Sequence, residues 1–304
     1  GFFVREAELS LYGPIDHLFD GVLTMSAHRE HGVQMFEVHE ASISSSKLLK
    51  GFSFRAGQFF LGLGRLNRFH RHDWPFTEAP IVQKKYFDSE GVSDSGLEAS
   101  YLLPLDFYLN ITAGITNGWT YGHAHNEGKK PKTPTHYARV SSFLDGDDVY
   151  GLALGLNYLG RESSEGEKLE LLGLDATLKA EVFGFQSLVQ SETWARFKTS
   201  ANGELEESLG SYVFSNLSLS SNFKVGARFD YFTILSLKDL AGEKITNSEI
   251  SVVSTLTYET SEFCSFKLSY KHSESTQEGQ ADKLDQSFQF QTVFILGAHP
   301  AHDF

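Results

Sequence analysis

Along most of this chain apolar and polar residues take turns, and that regularity limits the folds open to it. Tyr150 to Tyr158 is the clearest instance. Tyr150, Leu152, Leu154, Leu156 and Tyr158 alternate there with Gly151, Ala153, Gly155 and Asn157. Period two describes a strand with one face against apolar surroundings and the other against polar ones. The pattern recurs over Phe3–Tyr12, Leu18–Ala27, Gly51–Phe60, Gly96–Leu103, Phe107–Ile115, Tyr137–Leu144, Leu169–Ala180 and Val182–Ala195. It continues over Leu209–Leu219, Lys224–Phe232, Ile250–Tyr258, Cys264–His272 and Asp285–Leu296. Between Gln34 and Ser44 the facing changes, with Phe36 and Val38 on one parity and Ala41 and Ile43 on the other. A bulge near His39 reconciles them, because one extra residue flips every later side chain to the other face.

That makes fifteen strands, and their connections have a rhythm. Short turns such as Gly13–Asp16, Pro104–Asp106 and Asp145–Asp148 alternate with polar loops such as Asn117–Thr135, Thr199–Glu207 and Ser273–Lys283. No apolar run approaches the roughly 18 residues of a membrane-spanning helix. Apolar content is 40%, but it is concentrated on one parity, which lets a β-barrel sit in a membrane while its average looks hydrophilic. A large soluble sandwich would also alternate. It has no need of the short-turn, long-loop rhythm or of aromatics at both strand ends. The expected fold is therefore all-β, a single transmembrane antiparallel barrel spanning residues 1–304. Closure is required, since open edges in lipid leave backbone groups unsatisfied at several kcal/mol each.

Bacterial barrels of one chain have even strand numbers, with short turns on the periplasmic side. The first connection here is short, so Gly1 falls on the outer side. A sixteenth strand ahead of Gly1 is the simplest completion. Chain end and last strand then meet in the periplasm, at Phe304. No secretory signal precedes Gly1, as expected of a mature or trimmed exported chain. The single cysteine, Cys264, excludes an internal disulfide and a cysteine-cluster metal site. Net charge −13 without a basic patch argues against nucleic acid as a partner.

Two stretches carry a resemblance. GFFVREAELSLYGPI, and FRAGQFFLGLGRLNRFHRHDWPF with Gly57, Gly64 and Arg65, resemble the start and the strand-to-loop passage of phosphate-selective-type porins. The ending ILGAHPAH resembles a group of uncharacterised porin-like outer-membrane proteins. The sharp motifs cover residues 1–75 and 293–304. The resemblance implies a sixteen-stranded pore of the bacterial outer membrane, in contact with its lipids and lipopolysaccharide and often a homotrimer. It also implies that the long loop after the fifth strand folds into the lumen and narrows it. The lysine and arginine ladders behind phosphate selectivity in that family are missing here.

Leu61–Ser93 occupies that loop position once the sixteenth strand is restored. It is the longest segment without alternation, and a structureless loop of this size is out of place unless functional. Parity turns Glu6, Glu8, Asp20, Glu40, Glu98, Asp175 and Asp230 inward, together with Arg55, Arg139, Arg228, Lys267 and Lys271. Rings of charge set selectivity in a lumen. The residues expected to line the constriction are Arg55, Arg65, His70, His72, Asp73, Glu98, Glu6, Glu8, Arg139, Arg228, Lys267 and Lys271.

His70, His72 and Asp73 form H-x-H-D, a set suited to zinc, copper or nickel. One loop supplies at most three ligands, so His123 or His125 from the next outer loop would complete such a site. Against this stands the plainer reading, in which these are solvated loop histidines beside Trp74 and Phe76. No cofactor is otherwise expected. Charging of the histidines near pH 6 would make conductance pH-dependent.

No Gly-x-Ser-x-Gly, H-E-x-x-H or phosphate loop occurs, so catalysis is not expected. The expected function is passive diffusion of small hydrophilic solutes or ions through a charged constriction. Two other readings remain open: a substrate- or metal-selective channel, or a plugged barrel that holds a partner protein or lipoprotein.

Overall fold

The computed structural model describes residues 1–30, 33–118, 130–146, 149–237, 247–277, 279 and 281–297. All fifteen expected strands form. They are β1 (Glu6–Pro14), β2 (Asp20–Glu30), β3 (Val33–Ser45), β4 (Phe52–Phe60) and β5 (Ser93–Leu102). Next come β6 (Tyr108–Thr116), β7 (Thr133–Asp145), β8 (Tyr150–Glu162), β9 (Lys168–Val182) and β10 (Phe185–Thr199). The rest are β11 (Leu205–Ser218), β12 (Phe223–Leu237), β13 (Asn247–Ser261), β14 (Cys264–Gln277) and β15 (Lys283–Phe294). Each pairs antiparallel with its sequence neighbour in one sheet, and β1 and β15 are its two edges among the described residues.

The alternation sorts side chains as expected. Leu156 is 56% exposed, Leu174 60% and Phe290 63%, on the face a bilayer would cover. On the opposite parity Asn157, Asp175, Arg228 and Asp230 are buried. Aromatic residues gather at the short-turn ends. Phe52 stacks on Tyr101 at 4.4 Å and Phe223 packs against Tyr258 at 4.6 Å. Such a girdle marks a membrane–water boundary. The two-residue turn between β9 and β10 has positive φ at both residues, with Phe183 and Gly184 at 53° and 81°. That turn favours hairpins because its twist matches the strands.

Two details bear on function. In the β2–β3 ladder Thr24 pairs with Glu40 and Met25 with Val38, which leaves His39 as the extra residue of a bulge. The bulge turns both His39 and Glu40 inward while Val38 and Ala41 stay outside. The second detail corrects the expected loops. Strands β7 to β14 run to 13–15 residues, longer than the roughly 9–11 a bilayer requires. Thr199–Glu207 shrinks to a short turn with Ser200 N donating to Glu204 O at 2.8 Å. The ladder continues past the lipid, where both faces are wet and alternation has no reason to persist. Cross-strand pairs such as Lys198–Glu167, at 2.9 Å, accompany it instead.

Candidate functional site: the loop inside the barrel

Residues 61–92 link β4 to β5 and contain two 3-10 turns, Leu66–Arg68 and Arg71–Asp73, and one helix, α1 (Ile81–Tyr86). Leu61 N donates to Val92 O at 3.0 Å and closes the neck. Asn67 ties the neck further. Its amide nitrogen donates to Leu61 O and Val92 O, and its oxygen accepts from Val92 N at 2.6 Å. Pro80 precedes α1, where a missing N–H costs nothing, and Asp88 ends it with φ +70°.

The loop is the most buried part of the molecule. Leu61, Leu63, Leu66, Trp74, Phe76, Val82, Tyr86 and Phe87 are each at most 3% exposed. They form one apolar cluster with the inward residues Leu171, Trp194, Tyr212, Phe214 and Phe232 of β9 to β12. Phe87 meets Trp194 edge-on at 4.7 Å, and Phe76 meets Phe214 at 5.5 Å. Helix α1 comes so close to β11 that a Cβ on Gly210 would lie 2.6 Å from Val82 Cγ2. Edge-to-face aromatic pairs add about 0.5–1.5 kcal/mol each to the area they bury.

The rest of the wall grips the loop through charge. Arg139 on β7 donates to Gly64 O at 3.0 Å and is held by Asp175 at 2.5 and 2.8 Å. Gly64 takes φ +59°, and a Cβ there would stand 2.4 Å from Glu192 Oε2. Glu192 in turn accepts from Leu66 N at 2.8 Å. Arg228 donates to Glu78 O at 2.7 Å, Lys267 to Trp74 O at 2.5 Å and Arg5 to Thr77 O at 2.9 Å. Arg55 donates to Phe60 O at 3.1 Å and to Glu98 at 2.8 Å, while Glu98 also accepts from Tyr137 at 2.6 Å. Lys271 lies 3.5 Å from Glu78, which also pairs with Lys84 at 2.6 Å. One loop thus touches strands from β1 to β14, so the sheet curls around it.

Of the charges expected to turn inward, Glu8, Glu40, Glu98, Arg139, Arg228, Lys267 and Lys271 contact loop backbone or loop side chains, while Asp20 is half-exposed and lies 3.9 Å from Lys47. Glu6 accepts from Ser26 Oγ at 2.8 Å. Arg65 lies over the Phe69 ring at 4.5 Å. Burial and neighbouring Arg68 lower the Arg65 pKa from its usual value. Alternation does not single out Arg5, Glu78, Glu192, the apolar wall or Arg196, which donates to Lys85 O at 3.0 Å. A signal was present. In β9 both parities turn apolar, as Leu171 and Leu172 show, where a strand exposed to water on one side would alternate.

A different character marks the side facing β1 to β3. The His70 ring sits between two carboxylates, with Nδ1 3.0 Å from Glu8 and Nε2 2.9 Å from Glu40. His72 lies 3.2 Å from Asp73 and 3.9 Å from Glu8. His39, delivered by the bulge, stacks on His70 at 6.0 Å, and His28 lies 6.1 Å from His39. Burial alone would lower the His70 pKa, but its bonds to Glu40 and Glu8 outweigh that and raise it to about 10. Charging of His70 near pH 6 is therefore corrected: this imidazolium is already formed at neutral pH. His70 is mostly buried and packs on Phe60 at 4.9 Å, whereas His72 keeps more of its ring in solvent. His123 and His125 lie outside the described residues.

No protein-family profile matches the sequence. A protein of Aquifex aeolicus described as uncharacterized is 26% identical over 334 aligned residues, which span all of this chain and 70% of the relative. Among solved structures, the outer membrane channel DcaP of Acinetobacter baumannii superposes with TM-score 0.61 at 9% identity, covering 95% of this chain and 84% of DcaP. The anion-selective porin of Comamonas acidovorans gives 0.58 at 9%, covering 95% and 87%. The trimer form of in-vitro folded OmpT of Vibrio cholerae gives 0.56 at 10%, covering 94% and 88%. The chain has the fold of the outer-membrane porins.

Proposed function

We propose that this outer-membrane barrel is a porin whose passage is narrowed by residues 61–93. The observation that carries the reading is the loop itself, drawn inside the sheet and gripped by inward charges from both of its ends. Small hydrophilic solutes or ions diffuse past it, on the side of Arg55, Glu98, Glu6, Glu8, His72 and Asp73, because the opposite side is closed by apolar packing. Arg65, His70, Arg139, Arg228, Lys267 and Lys271 shape this passage by fixing the loop. The porins and channels of similar fold support transport rather than catalysis. The trimer form of OmpT supports a homotrimer here. Net charge −13 favours cations over anions at the mouth, since a field of one sign concentrates the opposite ion.

The buried apolar side favours one second reading, a plugged barrel that serves as a scaffold for a protein or lipoprotein. Single-channel recording in a lipid bilayer separates the two. A porin passes current in salt and prefers cations; no conductance at any voltage leaves the plugged barrel.

A further inference from the structure

Four imidazoles form a file from the wall into the loop. Successive ring centroids of His28, His39, His70 and His72 lie 6.1, 6.0 and 5.6 Å apart. Carboxylates flank the file, and among the described residues three overlapping sets bring three ligand atoms within 4.8 Å of one another: Glu8 with His70 and His72, His28 and His39 with Glu90, and Glu6 and Glu8 with His39. The first two join wall to loop. Glu8 is on β1, His28 on β2 and His39 on β3, while His70, His72 and Glu90 belong to residues 61–92. His28 and His39 are each only 6% exposed, so two buried imidazoles of the wall face the loop together.

We infer that this cluster binds a divalent transition-metal ion that fastens the constriction loop to β1–β3. Imidazole with carboxylate is the donor set of zinc, copper and nickel, and harder ions such as magnesium prefer oxygen alone. Ligands about 2.0–2.2 Å from a tetrahedral ion stand roughly 3.4 Å apart, so small side-chain rotations complete either set. An ion on Glu8, His70 and His72 displaces the proton His70 otherwise shares with its carboxylates, because bound imidazole is neutral. Three protein ligands leave a fourth position to water, which makes the ion exchangeable rather than permanently closed in. The bulge explains how a strand can supply such a site: without its extra residue His39 and Glu40 could not both face inward. The inference does not depend on what the barrel conducts.

Equilibrium dialysis of the full folded chain in detergent against micromolar Zn²⁺, after chelator treatment, tests it by elemental analysis. The wild type takes up Zn²⁺ saturably, with at least one equivalent per chain, and its Tm rises with the metal. The His70→Gln/His72→Gln and His28→Gln/His39→Gln variants each bind about tenfold more weakly or worse, since even an outer partner of a metal site is worth that much. A His136→Gln/His272→Gln control, with both changes away from the cluster, binds as wild type does. No saturable uptake by the wild type overturns the inference. So does wild-type affinity in both cluster variants, or loss in the control. Near-native strand content by circular dichroism is required of every variant compared.

Discussion

The two sides of the inward loop are fastened by different physics. Toward β9–β12 the loop is glued by aromatic area: Trp74, Phe76, Tyr86 and Phe87 meet Trp194, Phe214 and Phe232 with almost nothing exposed. Toward β1–β5 it is held by polar contacts, among them Glu8 and Glu40 on His70 and Glu98 accepting from Gly62 N. Burying a large apolar side chain is worth roughly 1.5–3 kcal/mol and is indifferent to pH and salt. A hydrogen bond to a charged group gains a similar amount only while both partners keep their protonation. One side is thus a permanent anchor and the other an adjustable one. A passage is best placed along the adjustable side, where groups that remain polar meet water.

Substitutions can break this contrast. The largest effect belongs to the anchor. Trp74→Ala empties a fully buried site and costs about 3–5 kcal/mol, seen as a lower unfolding midpoint in denaturant and as noisy, enlarged conductance steps. Arg139→Met comes next, because it strands Asp175 uncompensated in the interior at about 3–5 kcal/mol. Asp175→Asn added to it recovers much of the loss, and a double variant no better than the single one refutes that account.

Gly64→Val tests close approach rather than charge. It puts a side chain against Glu192 at a left-handed φ, and overpacking of this kind costs about 1–3 kcal/mol. The expected result is partial release of the loop with β-sheet content unchanged by circular dichroism.

The adjustable contacts answer to pH. Burial alone would raise the Glu78 carboxyl, but Lys84, Lys271 and Arg228 outweigh it and hold it below its ordinary 4.5. A depressed carboxylate contributes stability above its unfolded value and loses it as pH falls through the folded one. The grip at Glu78 therefore persists at neutral pH, and conductance becomes unstable as pH falls below that ordinary value. In Glu78→Gln that acid response is absent. The smallest effect is reserved for pairs away from the loop: Lys224→Ala, which breaks a half-exposed pair with Glu259 at 2.7 Å, changes stability by about 0–1 kcal/mol.

How much of this was legible beforehand follows from which forces leave a periodic trace. Lipid on one face and water on the other write period two into the chain, so strand count, facing and the His39 bulge could all be read. The bulge was readable because Phe36 and Val38 disagree in parity with Ala41 and Ile43. The outer halves of β9–β14 were not, since a ladder standing in water is held by backbone bonds that any residue provides. The loop stood out by its length and lack of alternation, but its grip did not. Arg139 reaches Gly64 and Lys267 reaches Trp74 across long stretches of chain, and no local pattern encodes such partners. Glu192 and Trp194 looked like ordinary members of an alternating strand, although their neighbours on the lumen side are loop residues.

The reach of those contacts also orders events in time. Lys267 and Trp74 are 193 residues apart, and Thr77 and Ser269 are separated by 192. Contacts that distant are slow, because the chain between them has to be organised first. Docking of the loop then waits for the hairpin of β13 and β14. Until that hairpin closes, Trp74 O and Thr77 lack their partners Lys267 and Ser269, and the polar end of the grip is incomplete. Full seating of the loop is in this sense the last act of assembly, and a chain truncated before β14 would form most of a wall around a loop fastened by its apolar side alone.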